Sequence, residues 1–124
     1  MRELIAVFIG SGLGGISRYG LGSWVNSWHN QYFPYGTLVV NVVACFILGF
    51  VVGLADHKQI ISSTVRLFLT VGFCGGFSTF STFSNETLTL FQQGYYIALA
   101  LYVFGSVLLC VAATFCGLFI AWRF

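Results

Sequence analysis

Apolar residues fill four long stretches of the chain, and short polar connections separate them. A helix needs about 20 predominantly apolar residues to cross a membrane. The stretches therefore predict spans at about residues 4–28, 35–55, 67–91 and 95–122, within a single membrane domain of residues 1–124. Trp and Tyr lie near the predicted ends, where interfacial aromatic residues belong. The pattern predicts an all-α integral membrane protein of four transmembrane helices.

The composition agrees with this pattern and excludes several classes of protein. Only 6% of the 124 residues are charged, against about 25% in soluble domains. A soluble catalytic domain has no room in such a chain, so we do not expect an enzyme. The net charge of +2 is small and the basic residues are scattered, so nucleic acid is not an expected partner, whereas the lipid bilayer is.

The four cysteines all fall inside apolar stretches, at Cys45, Cys74, Cys110 and Cys116. They have no CxxC spacing and no nearby His, so neither a zinc site nor a disulfide framework is indicated. Small buried apolar residues are the better interpretation.

The basic residues favour one orientation in the membrane. Four of them lie on the side of the termini in this topology, and Arg18 is the one candidate on the other side; the four are Arg2, Lys58, Arg66 and Arg123. Because Lys and Arg are enriched in cytoplasmic loops, both termini are predicted to be cytoplasmic.

Small residues recur in the first two spans, at Gly10, Gly14 and Gly15 and at Gly49 and Gly53. Small residues let helix backbones approach closely, either within one chain or between two. Since polar groups cannot be left facing lipid, we also expect two chains to associate.

The third span contains the sequence GFCGGFSTFSTFSNE, residues 72–86. At about 1.5 Å per residue, Gly75 lies roughly 12 Å into the span, near the midplane of the bilayer. The glycines of this segment could serve helix packing, but each glycine destabilises a helix by about 1 kcal/mol relative to Ala. We therefore predict that the third helix is broken there, which frees carbonyl groups. Six polar side chains follow within eight residues: Ser78, Thr79, Ser81, Thr82, Ser84 and Asn85.

Polar residues occur in the other spans as well. Asn41 could join helices or bind a ligand. Ser106 and Thr114 share one face of the fourth span, which is also compatible with packing. Arg18 could reach the interface or attract anions in a vestibule, and Glu86 could form a pair or contact headgroups.

This set of side chains suits a small anion. Amides and hydroxyls donate hydrogen bonds, and the edge of a phenyl ring carries positive charge. The chemistry is compatible with fluoride but does not distinguish it from chloride or hydroxide. A small multidrug-type proton-coupled exporter is the alternative, but the first span lacks the carboxylate for it. A non-transporting membrane assembly subunit is a third interpretation.

The chain resembles the Fluc (CrcB) family of small fluoride channels over essentially its full length. The resemblance rests on three segments in the same order: GGISRYGLG at Gly14–Gly22, GTLVVNVVACFILG at Gly36–Gly49, and the Gly72–Glu86 segment. It implies an antiparallel, dual-topology homodimer in the bacterial inner membrane. It also implies two pathways, each exporting fluoride passively and selectively from the cytoplasm.

The resemblance also implies roles for single residues. The residues implied to line the fluoride pore are Asn41, Phe80, Phe83, Ser81, Thr82, Ser106 and Thr114. Gly75 and Ser78 match positions whose backbone carbonyls hold a structural sodium ion at the dimer centre. Dual topology implies little Lys/Arg asymmetry, and the count of four against at most one opposes it.

Overall fold

The computed structural model describes residues 1–28 and 32–124, and the described residues form helices and no strands. Six α-helices follow one another: α1 Arg2–Asn26, α2 Tyr35–Gly53, α3 Ser63–Leu67, α4 Gly75–Phe77, α5 Phe80–Gln92 and α6 Tyr96–Arg123. Two π-helical segments, Leu54–Lys58 and Phe68–Cys74, extend α2 and join α3 to α4.

These helices make four candidate membrane spans within the described residues: Arg2–Asn26, Tyr35–Lys58, Ser63–Gln92 and Tyr96–Arg123. Each overlaps one of the predicted apolar stretches. The prediction of an all-α membrane protein with four spans is confirmed, and the chain is a multi-pass membrane protein.

Glycines bring α1 against the third span. A Cβ atom on Gly14 would collide with the carbonyl oxygen of Phe73, and one on Gly10 would lie 2.6 Å from that of Phe68. From the other side, a Cβ on Gly76 would collide with the carbonyl of Ser11. The backbones are therefore in direct contact, as the small residues of the first span predict. Gly15, by contrast, has nothing within 4 Å of a Cβ position.

Helix α2 packs mainly against α6 and also contacts α1 and the third span. Gly49 faces the backbone of Thr114, and Gly117 faces the carbonyl of Phe46, with no room for a Cβ on either glycine. Further along, Gly53 lies against Ala121. The contact of Gly49 with Thr114 is followed by that of Gly53 with Ala121, so α2 and α6 run parallel and in close contact.

The third span is interrupted between α4 and α5. Ser78 and Thr79 have extended backbone, with ψ angles of 157° and 120°. The expected position of the break was wrong by a few residues, because Gly75 is helical (φ −63°, ψ −39°) and the GFCGG stretch lies within the helical part. Gly72 and Gly76 of this stretch contact α1, and the backbone leaves the helix just after them.

A tight turn joins the third span to the fourth. Gly94 has a φ of +79°, which a residue without a Cβ adopts most easily. The Tyr95 N–H donates to the Leu90 carbonyl at 3.0 Å, closing the end of α5. Tyr95 then stacks on Tyr32 with ring centroids 3.9 Å apart, so the starts of α2 and α6 lie at the same end of the bundle.

Candidate functional site

The side chain of Asn41 holds the interruption of the third span. Its Nδ2 donates to the Thr79 carbonyl at 3.1 Å, and its Oδ1 accepts from the Thr79 N–H at 2.8 Å. Asn41 projects from α2, where the apolar neighbours Val40 and Ala44 fix that helix in the core. The amide therefore satisfies both polar groups of one extended residue, which would otherwise be left without partners in an apolar setting.

This arrangement releases two backbone carbonyls from their usual donors. In a continuous helix the N–H groups of Thr79 and Thr82 would donate to the carbonyls of Gly75 and Ser78. Here the Thr79 N–H donates to Asn41, and the Thr82 N–H donates to the Thr79 Oγ1 at 3.2 Å. The two carbonyls belong to the residues that the resemblance assigns to sodium.

A cavity of about 270 Å³ lies beside the interruption, and we call it the Ser106 cavity. Residues from α2, the third span and α6 surround it: Asn41, Cys45, Ser78, Thr79, Phe80, Phe83, Ser106, Val107 and Cys110. The structure thus brings together Asn41, Phe80, Phe83 and Ser106 of the predicted pore residues.

The Ser106 hydroxyl is the least satisfied polar group of this cavity. Ser106 is 6% exposed, and its Oγ has no hydrogen-bond partner among the described residues. A buried hydroxyl without a partner costs about 1–3 kcal/mol, so the site favours a ligand or water that can accept a hydrogen bond from Ser106. The rings of Phe80 and Phe83 lie 5.6 Å apart on the opposite element.

A second cavity of about 190 Å³, the Arg18 cavity, lies on the other side of Thr79. Its polar lining includes Arg18, Asn26, Thr37, Thr79, Thr82 and Glu86. Across residues 1–28 and 32–124 the one ion pair joins Arg66 to Asp56, so Arg18 has no carboxylate within 4.0 Å. Its buried Nε also lacks a hydrogen-bond partner within that part of the chain. The cavity therefore holds a guanidinium that makes no ion pair among the described residues, and it shares the lining with the Glu86 carboxylate.

Glu86 joins three helices through its two carboxylate oxygens. Oε1 accepts from the Thr37 hydroxyl at 2.8 Å, and Oε2 accepts from the Tyr102 hydroxyl at 2.7 Å. Tyr102 is completely buried, and its ring lies 5.0 Å from that of Phe83. The sequence left open whether Glu86 forms a pair or contacts headgroups. In the structure it lines the Arg18 cavity and accepts two hydrogen bonds from side chains of neighbouring helices.

Three predicted pore residues lie elsewhere or in different roles. Thr82 lines the Arg18 cavity and not the Ser106 cavity. Ser81 is exposed on α5, with its Oγ 3.5 Å from the Thr79 Oγ1. The Thr114 hydroxyl donates to the Cys110 carbonyl of its own helix at 2.9 Å, and Thr114 is not part of either cavity.

Sequence reasoning missed Thr37, Tyr102 and the role of Thr79. Helical spacing contained a signal for the first two, because Thr37 precedes Asn41 by four residues and Tyr102 precedes Ser106 by four. Each therefore extends a polar face that the sequence had already indicated. Nothing in the sequence distinguished Thr79 from the neighbouring hydroxyl residues, since its contact with Asn41 depends on how α2 packs.

Comparisons with known proteins match this chain over nearly its full length. Residues 5–118 match a protein family described as CrcB-like protein, Camphor Resistance (CrcB). A protein of Geobacter metallireducens named fluoride-specific ion channel FluC is 41% identical, over 98% of each chain. The protein of that name from Pyrococcus furiosus is 43% identical, over 99% of this chain and 98% of its own. A protein of the same name from Bacteroides fragilis is 40% identical, over 100% of this chain and 99% of its own.

Proposed function

This chain belongs to the CrcB-like protein family, and we propose that it is a fluoride channel. Relatives aligned over nearly their full length carry the name fluoride-specific ion channel. Ion channels are not enzymes, which agrees with the expectation from the composition that this chain is not an enzyme. The four spans agree with a protein of the bacterial inner membrane.

The Ser106 cavity is the observation that carries this proposal. The unpartnered Ser106 hydroxyl, the amide of Asn41 and the rings of Phe80 and Phe83 surround one space. Hydroxyl and amide donors replace part of the hydration of a small anion, and ring edges contribute positive charge. None of the described residues that line this cavity carries a carboxylate, so an anion meets no like charge from them.

The Arg18 cavity supplies the approach to that site. Arg18 attracts an anion, and Thr79 lines both cavities, so the ion passes from one to the other along the interrupted backbone. Export is passive and follows the fluoride gradient out of the cytoplasm. Thr82 lines the Arg18 cavity and takes part in this approach, whereas Ser81 and Thr114 lie outside both cavities and are assigned to the pathway by the resemblance alone.

Fluoride efflux from liposomes containing the purified protein tests the proposal. We expect fluoride to leave at least tenfold faster than from protein-free vesicles, with chloride retained. Chloride efflux as fast as fluoride efflux, or no fluoride efflux, would contradict the assignment. Proton flux driven by an organic cation would instead support the exporter alternative.

The channel is further proposed to be an antiparallel homodimer with two pathways. Phe80 is 79% exposed in the single chain although it borders the Ser106 cavity, so that cavity is open on one side. A second copy of the chain would close it. Such pairing requires insertion in both orientations, and it takes place despite the uneven distribution of Lys and Arg.

A sodium ion at the centre of the dimer is part of the same proposal. The Gly75 and Ser78 carbonyls have lost their helical donors, and carbonyl oxygens suit a hard cation. The two residues line a common small cavity, and two copies would supply four carbonyls. Sodium is expected to raise the melting temperature of the dimer at constant ionic strength, relative to choline. Equal melting temperatures would contradict the sodium site.

A further inference from the structure

Two thiols lie on the wall of the Ser106 cavity, one from each of two adjacent helices. Cys45 belongs to α2 and Cys110 to α6, and both line the cavity. Both are free cysteines, and both are partly accessible. The two thiols therefore form a pair facing the space that the ion is proposed to cross.

The register of α2 and α6 places these two thiols at the same level of the bundle. The two helices are parallel and touch where Gly49 meets the Thr114 backbone. Cys45 precedes Gly49 by four residues, and Cys110 precedes Thr114 by four, so each thiol lies one turn earlier on the same helix face. The tight glycine contact keeps the helices close at that level as well.

An independent observation indicates that the same cavity binds a ligand. Ser106 lies one turn before Cys110 on α6, and its buried hydroxyl has no partner in the described residues. Two sulfur atoms and one unsatisfied oxygen atom thus border one space. Cys74 and Cys116 are not part of this cavity.

We infer that Cys45 and Cys110 together bind one soft, two-coordinate divalent metal cation in the Ser106 cavity. Thiolates select soft metals, and a coordinating thiol is deprotonated by the metal. Two S–H bonds break, two metal–sulfur bonds form, and two protons leave to water. The bound unit is neutral, which matters because a net charge within the membrane is costly.

Harder cations do not suit this pair. Zinc takes four ligands in structural sites, and within the described residues no group of three or more Cys, His, Asp or Glu is placed to bind a metal. A linear cation needs two ligands, and at a bond length of about 2.3 Å, as for zinc and sulfur, its two sulfurs are about 4.6 Å apart. Two thiols that border one cavity from adjacent helices, at the same level of the bundle, are placed to bind a common cation of this kind.

The metal would also obstruct ion movement, and this part rests on the proposed channel function. The cation would lie between the two sulfurs, on the side of the Ser106 cavity that α2 and α6 form. It would tie α2 to α6 beside Asn41, which holds the interruption. Fluoride flux is therefore expected to stop when the metal binds.

Metal retention by two complementary variants tests the site. Cys74→Ala/Cys116→Ala keeps the pair, and Cys45→Ala/Cys110→Ala keeps two thiols that are not paired. Each full-length protein is incubated in detergent with mercuric chloride and washed with excess glutathione, which strips metal from single thiols. Intact mass then gives the metal content, and size-exclusion chromatography checks that each variant is folded.

We expect one mercury per chain in the first variant and less than a tenth of that in the second. Adding Cys45→Ser or Cys110→Ser to the first variant should abolish retention. Retention should also weaken as pH falls, because two protons compete for the sulfurs. Equal retention by both variants, or separate glutathione–mercury adducts on each thiol, would overturn the paired site.

Fluoride efflux from liposomes tests, separately from metal binding, whether the bound metal stops ion movement. Mercuric ion should lower fluoride efflux through the Cys74→Ala/Cys116→Ala variant at least tenfold, and excess dithiothreitol should restore it. Metal retained without loss of efflux would overturn the obstruction while leaving the binding site in place. A protein without fluoride efflux would contradict the channel function, but its mercury content would still decide whether the thiols form a site.

Discussion

Phe80 combines a position at the Ser106 cavity with unusual exposure. It is 79% exposed, yet its ring lies 5.6 Å from that of Phe83, which in turn contacts the buried Tyr102. A phenyl ring presents a positive edge that an aliphatic side chain of similar size lacks. Exchanging the ring for an aliphatic side chain of similar size therefore distinguishes an electrostatic role of Phe80 from a role in filling space.

Replacing Phe80 by Ile should reduce fluoride efflux at least tenfold while the dimer stays intact. The volume stays similar, but the positive ring edge is lost. Phe8→Ile is a matched control, because Phe8 is also highly exposed and lies on α1, away from both cavities. Efflux from liposomes is the measurement, and an unchanged rate for Phe80→Ile would remove this ring from the pathway.

Glu86 shows how one acceptor couples two donors. Thr37 and Tyr102 donate to different oxygens of the same carboxylate. Removing either donor leaves a carboxylate oxygen unsatisfied, which costs about 1–3 kcal/mol. Because both bonds share one group, their effects should not be independent.

Thr37→Val and Tyr102→Phe should each lower the free energy of unfolding of the purified protein. The loss in the double variant should differ from the sum of the two single losses by about 0.5–3 kcal/mol. Thermal unfolding of all four proteins in the same detergent gives this double-mutant cycle. Thr89→Val is the control for loss of a hydroxyl, because Thr89 is exposed and bonds only to its own helix. Strict additivity would show that Glu86 does not couple the two residues.

At the scale of elements, glycine contacts decide how the spans pack. α1 meets the third span at Gly14, where a Cβ would strike the Phe73 carbonyl. Gly15, the next residue on the same helix, has open space at its Cβ position. Composition alone treats the two positions alike, but only one of them is in a contact between helices.

Gly14→Ala should destabilise the protein by about 1–3 kcal/mol, the usual cost of overpacking, because the obstacle is backbone that cannot rotate away. Gly15→Ala should be neutral or stabilising, by up to about 1 kcal/mol from helix propensity. Thermal unfolding in detergent compares the two variants directly. Similar destabilisation by both would mean that the Gly15 face is also in contact, as in a complex of two chains.

At the scale of the whole molecule, the single chain leaves much apolar surface exposed. Large exposed side chains lie on α1 and α6 in particular, among them Phe8, Ile16, Ile97, Phe104 and Leu108. Lipid can cover such residues, but it cannot satisfy the polar hydroxyls exposed on α5. A second copy of the chain can satisfy both demands.

An antiparallel dimer should form a disulfide through a cysteine placed near the membrane midplane. In a variant with the four native cysteines replaced by Ala, Gly75→Cys should give a covalent dimer on mild oxidation. Phe124→Cys in the same background should not, because antiparallel pairing puts the two termini on opposite sides. Non-reducing gel electrophoresis of protein in liposomes is the measurement. Linking through Phe124→Cys alone would indicate a parallel dimer.

The sequence by itself determined the four spans, since apolar segments of sufficient length must cross the bilayer as helices whose backbone bonds are internal. It also identified the third span as the irregular one, because clustered glycines and hydroxyl residues are poor choices for a membrane helix. The family resemblance, and not the pattern alone, named Asn41, Phe80, Phe83 and Ser106 as candidates for a common site, and in the structure these four residues border one cavity.

Tertiary structure alone decided where the backbone leaves the helix and which polar groups meet. The interruption lies at Ser78 and Thr79 because Asn41 from α2 can satisfy both polar groups of Thr79 there. Glu86 meets Thr37 and Tyr102, and Cys45 and Cys110 border one cavity, because glycines let the helices approach in one particular register. Local sequence cannot specify such contacts, since they depend on the relative position of helices that are far apart along the chain.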